Sequence, residues 1–133
     1  MAAEGLITIS SSHGPVATMN RFEAEVKSRG MTVFAHIDHA AGAAAAGLSL
    51  RPTDLLIFGN AKGGTPLMQD VQAIGIDLPL KALVWQDAAG ATWLSYNDPG
   101  WLAQRHGLDD TTKTTIKAMS DGLKAIASKA TEP

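Results

Sequence analysis

The run of residues from Asp54 to Pro66 constrains the fold of this chain more than any other segment. It reads DLLIFGNAKGGTP, and its apolar stretch from Leu55 to Phe58 predicts a buried β-strand. The strand leads into a glycine-rich loop, and Thr65-Pro66 then indicates the start of a helix. The segment therefore favours a protein that combines strands with helices.

Length and composition indicate a single globular domain over residues 1–133. Hydrophobic residues make up 45% of the chain and charged residues 18%, which are values typical of a folded domain. The net charge is −2 and the 11 Lys and Arg residues are scattered, so we expect no nucleic-acid partner. The chain has no cysteine, which excludes disulfides, cysteine-based zinc sites and covalent haem attachment.

Targeting signals are not evident in the sequence. The first residues, MAAEGLITISSSHGP, contain neither a basic region nor an apolar run of signal-peptide length. No segment approaches the roughly 18 consecutive apolar residues that span a bilayer. We therefore expect a cytoplasmic protein without a membrane partner.

Hydrophobic periodicity predicts an α+β fold with a single, mostly antiparallel sheet of about five strands and two main helices on one face. The predicted strands are Leu6–Ser10, Thr32–Asp38, Asp54–Gly59, Leu80–Asp87 and Thr92–Tyr96. The two main helices are expected over Pro15–Arg29 and about 110–130, and shorter ones over Pro66–Ile74 and Gly100–His106. The main helices should bury six residues together, namely Phe22, Val26, Ile116, Met119, Leu123 and Ile126.

Several longer strings support a resemblance to a known family. They are GLITI, FAHIDHAAGAAAAGL, RPTDLLIFGN, GTPLMQ, IGIDLPLKALVW and WLSYNDP. Together they resemble the domain of unknown function 302 family, over a family-like core of residues 5–108. The resemblance implies a β-α-β4-α arrangement grouped with TATA-binding-protein-like folds, and it supplies no established catalytic residues. Ala61 departs from the family pattern, in which proline is expected after Gly59-Asn60.

The glycine-rich loop has two interpretations. It is not a Walker A loop, because Lys62 precedes the glycine pair instead of following it. The amides of Gly63, Gly64 and Thr65 at a helix start could still hold a small anionic ligand, with Asn60 and Lys62 beside them. The alternative is an ordinary strand-to-helix connection that needs glycine for its backbone conformation.

His36, Asp38 and His39 form a second candidate cluster at the end of the second strand. Asp38 could orient His39 as an acid–base pair, or His36 and His39 could bind a metal or a non-covalent haem. If the second and third strands are neighbours that run the same way, this cluster meets the glycine-rich loop. The alternative is that Asp38 caps the following turn and that both histidines lie at the surface.

Aromatic and apolar residues suggest a third kind of site. Trp85 and Trp93 flank a predicted turn at Gly90, so they should lie close together across a hairpin. A sheet with helices on one side exposes its other face, where Phe34, Leu83 and Trp85 would form an apolar patch. This patch favours a homodimer interface over a ligand platform.

Three functions remain open at the level of sequence. The chain could be a homodimeric small-ligand-binding or structural module. It could be an enzyme in which Asp38 and His39 act on a small anionic substrate, or a metal or haem binder through His36 or His39. The sequence identifies neither the ligand nor any cofactor.

Overall fold

The structure, a computed structural model that describes residues 3–133, contains five strands and five α-helices within that range. The strands are β1 (Leu6–Ser11), β2 (Thr32–Asp38), β3 (Thr53–Gly59), β4 (Leu80–Gln86) and β5 (Thr92–Asn97). The helices are α1 (Pro15–Ser28), α2 (His39–Ala45), α3 (Ala61–Asp70), α4 (Pro99–His106) and α5 (Lys113–Thr131). Two 3-10 segments, Gln72–Asp77 and Asp110–Thr112, precede β4 and α5. Among the described residues, no helix is both long enough and apolar enough to cross a membrane.

The five strands form one sheet in the order β1-β5-β4-β3-β2, and every neighbouring pair is antiparallel. Helices α1 and α5 pack on the same face of this sheet. Phe22 of α1 meets Phe58 of β3 edge-on, with ring centroids 5.3 Å apart, and Leu123 and Ile126 of α5 belong to the same buried cluster. The predicted α+β architecture is confirmed.

Two residues of the predicted core are less buried than expected. Phe22, Val26, Leu123 and Ile126 are 3% exposed or less. Ile116 and Met119 on α5 are only half-buried and lie outside the core cluster. The reason for Met119 is that it lies beside α3 and lines an open cavity instead of the packed interior.

A bulge in β2 changes which of its residues share a face. Val33 pairs with Phe58, but Ala35 pairs with Ile57, so Phe34 is an extra residue in the ladder. His36 then pairs with the buried Leu56 and lies on the helix-covered side. Regular alternation along β2 would put Val33 and Ala35 on one face and Phe34 and His36 on the other, and the bulge breaks that pattern.

Candidate functional site

A cavity of about 630 Å³ lies between α3, α5 and the edge of the sheet. This volume falls within the range of roughly 300–1,000 Å³ that small-molecule sites occupy. Its residues come from the end of β2, the β3–α3 junction, α3, the segment before β4, and one side of α5. The cavity therefore involves the glycine-rich loop that the sequence singled out.

The wall of the cavity is mainly apolar. Its side chains include an aromatic ring, three methionines and several aliphatic groups, namely Phe34, Met31, Met68, Met119, Leu78, Leu80, Leu123 and Ile126. Methionine side chains adapt to irregular shapes because they are unbranched and flexible. Among the described residues that line the cavity, none is charged and none is histidine. The lining suits a molecule that is itself largely apolar.

Glycines enlarge the cavity where the helices approach it. A Cβ atom added at Gly63 would lie 3.6 Å from Cε of Met119, and one added at Gly64 would lie 3.6 Å from Cδ1 of Leu78. A Cβ atom at Gly122 would meet nothing within 4 Å, because that position faces open space. The absence of side chains at these positions leaves room beside Met119 and at Gly122.

The helix after the glycine-rich loop begins earlier than the sequence indicated. Its N-cap is Asn60, whose Oδ1 accepts a 2.7 Å hydrogen bond from the amide of Gly63. Pro66 therefore lies inside α3, and the prediction of a helix start at Thr65-Pro66 is wrong. Asn60 is itself a favoured N-cap residue, and it lies five residues before Thr65, the cap that the sequence suggested.

This earlier start changes the proposed anion site. The Gly63 amide is bonded to the Asn60 side chain, and the Gly64 amide donates to the Asn60 carbonyl at 3.1 Å. Thr65 lies in the body of α3, and Lys62 is exposed and outside the cavity lining. The amides and the cation therefore do not converge on one point. Asn60, Gly63, Gly64 and Thr65 instead contribute to the wall of the cavity.

The structure does not bring the two predicted loops together. β2 and β3 are neighbours, but they are antiparallel, with Thr32 opposite Gly59 and Asp38 opposite Asp54. The loop after β2 and the loop after β3 consequently leave the sheet at opposite ends, about 20 Å apart at strand rise. The composite site, in which Asp38 and His39 face the glycine-rich loop, is therefore wrong.

The His36–Asp38–His39 cluster also has a structural use. Asp38 caps α2, since its Oδ1 accepts a 2.8 Å hydrogen bond from the amide of Ala41. His36 Nε2 lies 3.6 Å from Oδ2 of Asp54, and His39 is exposed. Over residues 3–133, no three His, Cys, Asp or Glu side chains gather in a way that could hold a metal ion.

The sheet face opposite α1 and α5 carries an apolar row. Ile37, Leu55 and Leu83 lie side by side across β2, β3 and β4. In the next row, Trp85 pairs with Trp93, and their rings stack with centroids 6.2 Å apart, as the sequence predicted. These side chains are half-buried except Ile37, which is 39% exposed. We call this set of five residues the open-face patch.

Phe34 does not belong to the open-face patch. The bulge in β2 places it among the residues that line the cavity on the helix-covered side, where it is 57% exposed. The predicted grouping of Phe34 with Leu83 and Trp85 is therefore wrong. A bulge has no reliable signal in a single sequence, because it depends on how the partner strand pairs.

One polar cluster was missed by sequence reasoning. Nε2 of His106 lies 2.5 Å from Oδ2 of Asp77, and Nη1 of Arg105 lies 2.9 Å from the same oxygen. The pair joins the last turn of α4 to the segment before β4, which are far apart in sequence. His106 and Asp77 are 11% and 16% exposed, so this contact anchors α4. At the other end of α4, Asp98 is the N-cap, and its side chain accepts a hydrogen bond from the amide of Gly100.

Comparison with solved structures finds the same architecture in another protein. A crystal structure titled as an uncharacterized conserved protein DUF302 from Bacillus stearothermophilus matches with a TM-score of 0.84. The match covers 96% of this chain and 99% of that one, at 22% sequence identity, so it concerns the fold alone.

Curated relatives are more similar in sequence but longer. A protein named fluoride-specific ion channel FluC 1, from Brucella suis biovar 1 (strain 1330), is 52% identical over 122 residues, which are 92% of this chain and 48% of that protein. The protein of the same name from Brucella abortus biovar 1 (strain 9-941) matches at the same identity over 45% of its length. The chain therefore spans just under half the length of these relatives.

The family assignment rests on a match along most of the chain. The model of the family described as domain of unknown function DUF302 matches residues 7–126. This range includes all five strands apart from the first residue of β1, together with α1 and most of α5. The chain belongs to the DUF302 family.

Proposed function

We propose that this chain is a homodimeric domain that binds a small, mainly apolar molecule in the cavity between α3 and α5. The observation that carries the proposal is the cavity itself, with its volume of about 630 Å³ and its uncharged lining. The cytoplasmic location and the absence of a nucleic-acid partner expected from the sequence remain part of the proposal.

The energetic basis of binding is the burial of apolar surface. An apolar ligand gains roughly 2.5 kcal/mol for each 100 Å² of apolar surface that it removes from water. Leu123 and Ile126 supply a rigid floor, because both belong to the main core. Met68 and Met119 flank this floor with flexible side chains that can adjust to the ligand.

Filling the cavity tests the proposal. Gly122→Leu places an isobutyl group where an added Cβ meets nothing within 4 Å, so it should abolish binding of an apolar fluorescent probe. Gly42→Leu is the matched control, because Gly42 also lies in a helix, also faces open space and is outside the cavity. Equal probe binding by wild type and Gly122→Leu would contradict the proposed site.

The open-face patch supports the homodimer. Ile37, Leu55 and Leu83 form a continuous apolar row, and Trp85 and Trp93 extend it. The polar atoms of the two indoles are bonded within the chain, to Ser95 Oγ at 3.0 Å and to Asp87 Oδ2 at 2.9 Å. A second copy that is related by a two-fold axis would cover the same patch on both chains at once.

Light scattering tests this assembly. The wild-type protein should have a mass near twice 13.9 kDa, and Leu83→Glu should be a monomer because it puts an unpaired charge in the row. Val16→Glu is the control, since Val16 is 71% exposed on α1, on the helix-covered side. A monomeric wild type at high concentration would rule the homodimer out.

The relatives support a second candidate function. Over residues 3–133, the structure has no helix that could cross a membrane, yet its relatives are named as fluoride-specific ion channels and are about twice as long. We propose that the DUF302 part of such a protein works as an accessory domain outside the membrane, and that this chain acts with a fluoride channel in the same way.

Reconstitution tests the accessory role. The Brucella suis relative would be placed in liposomes with and without the half that matches this chain, and fluoride efflux would be measured. Removal of that half should change the efflux rate, and addition of this chain should restore it. Identical efflux from both forms would contradict the accessory role and leave the apolar-ligand proposal standing.

A further inference from the structure

We infer that the ligand of the cavity is electrically neutral and amphiphilic, with an apolar body on the floor and one hydrogen-bonding group at the rim. This inference rests on the proposed function of the cavity, because it names the chemical class of the molecule bound there. Three features of the lining carry it, namely the burial of its residues, their charge and the free hydrogen-bonding groups.

Burial separates the floor of the cavity from its rim. Leu123 is 3% exposed and Ile126 is fully buried, and both lie in the main core. The polar lining residues are Asn60, Thr65, Thr114 and Thr115, of which all are exposed except the half-buried Thr115. The floor is therefore apolar, while the polar groups lie where the cavity meets water.

The uncharged lining disfavours an ionic group inside the cavity. No Lys, Arg, Asp, Glu or His is among the described residues that line it. An ion that leaves water without a partner of opposite charge is strongly disfavoured. The cation nearest in sequence, Lys62, is exposed and does not contribute to the lining. A head group that hydrogen-bonds to the half-buried Thr115 gives up part of its hydration, so a carboxylate or an ammonium group would bind there worse than a neutral group of the same size.

The rim offers neutral hydrogen-bonding partners. Oδ1 of Asn60 already accepts from the Gly63 amide, so its Nδ2 remains as a donor. The hydroxyls of Thr65, Thr114 and Thr115 make no hydrogen bond to other described residues and can both donate and accept. A hydroxyl, ester or ketone oxygen matches this set of partners.

The shape of the cavity favours an extended molecule. Its lining on α5 runs from Thr114 to Ile126, which corresponds to about 18 Å of helix. Thr115, Met119, Gly122 and Ile126 are spaced by three or four residues and so share one side of the helix. A flexible chain along this side would reach from the rim to the floor.

Three probes of equal length test the class of ligand. Octanol, octanoate and octylamine carry a neutral, a negative and a positive end at neutral pH, and their affinities for the full chain would be measured by calorimetry. Octanol should bind at least tenfold more tightly than either charged probe. Octanoate or octylamine binding as tightly as octanol would overturn the inference while leaving the cavity as a binding site.

A variant at the rim locates the hydrogen bond. Thr115→Val removes the hydroxyl at nearly constant volume, and it should weaken octanol binding several-fold. Thr32→Val is the control, because Thr32 is exposed on β2 and outside the cavity. The inference would also be overturned if octanol affinity stayed unchanged in variants at all four polar lining residues, which are Asn60, Thr65, Thr114 and Thr115. Failure of all three probes to bind would instead reject the proposed function together with the inference.

Discussion

Trp93 donates its indole N–H to Oδ2 of Asp87 at 2.9 Å, across the β4–β5 hairpin. This bond is the main reason that the pKa of Asp87 lies below its ordinary value of 3.8, and the amides of Ala91 and Ala89 act in the same direction. A carboxylate whose pKa is lower in the folded state stabilises the fold above its unfolded-state pKa. That contribution is lost as the pH falls through the folded-state value.

Asp87→Asn should therefore destabilise the protein at pH 7, and the difference from wild type should shrink as the pH approaches 3. The amide side chain retains one oxygen acceptor, which cannot serve both Trp93 and the two backbone amides. Urea denaturation followed by tryptophan fluorescence measures the effect at each pH. Asp121→Asn is a matched control, since Asp121 pairs on the surface with Lys117. A pH-independent difference would contradict the role of the Asp87 charge.

Leu123→Ala should lower the free energy of unfolding by roughly 2–4 kcal/mol, through lost apolar burial and the void left behind. Leu123 is 3% exposed and packs in the core between the helices and the sheet. The control is Leu48→Ala, because Leu48 is 67% exposed and its truncation should change stability by less than about 0.5 kcal/mol. Similar urea midpoints for the two variants would show that α5 is not packed as described.

Ala61→Pro should stabilise the protein by about 0.4–1 kcal/mol. Ala61 is the first residue of α3, where proline is favoured because its N–H has no partner within the helix. The preceding Asn60 is extended, with φ −148° and ψ 156°, as a residue before proline requires. The melting temperature should rise, and a fall would contradict this geometry.

Proline in the first turn of α2 provides the opposite case. Ala41→Pro removes the amide that donates a 2.8 Å hydrogen bond to Asp38 and so breaks the cap of that helix. Its melting temperature should fall. The comparison separates the effect of proline as such from its effect at an N–H that is already bonded.

Gly5→Ala should destabilise the protein by about 2 kcal/mol or more. Gly5 has φ +78°, and a Cβ atom built there would overlap the ring of Trp101 on α4. Gly122→Ala is the contrasting substitution, since Gly122 lies inside α5 beside open space and alanine should stabilise the helix by up to about 1 kcal/mol. If the two substitutions changed the urea midpoint equally, the close approach of Gly5 to Trp101 and the open space beside Gly122 would both be contradicted.

Helix boundaries that depend only on neighbouring residues were predicted well from the sequence. The helix expected over Pro15–Arg29 is α1, which starts at Pro15, and the one expected over Gly100–His106 is α4, which starts one residue earlier at Pro99. The start of α3 was misjudged because Asn60 and Thr65 are both good capping residues, and Pro66 pointed to the second of them. Asn60 is the cap in the structure, where Gly63 is close enough to donate to its side chain.

The candidate sites could be predicted only in part. The loop from Asn60 to Thr65 does lie at a cavity, but Asp38 and His39 lie at the other end of the sheet because β2 and β3 run in opposite directions. No residue in either loop encodes that direction. The Asp77–His106 contact could not be predicted from local patterns either. Its two residues are 29 positions apart and belong to different elements.

The sequence by itself determined the number of strands, their succession along the chain and the positions of the two main helices. These properties follow from periodicity and capping, which act over a few residues. Only the tertiary structure decided that Phe34 lines the cavity and that Gly122 and Met68, from different helices, line it as well. A cavity is bounded by residues that are distant along the chain, so it exists only once the sheet and helices have packed together.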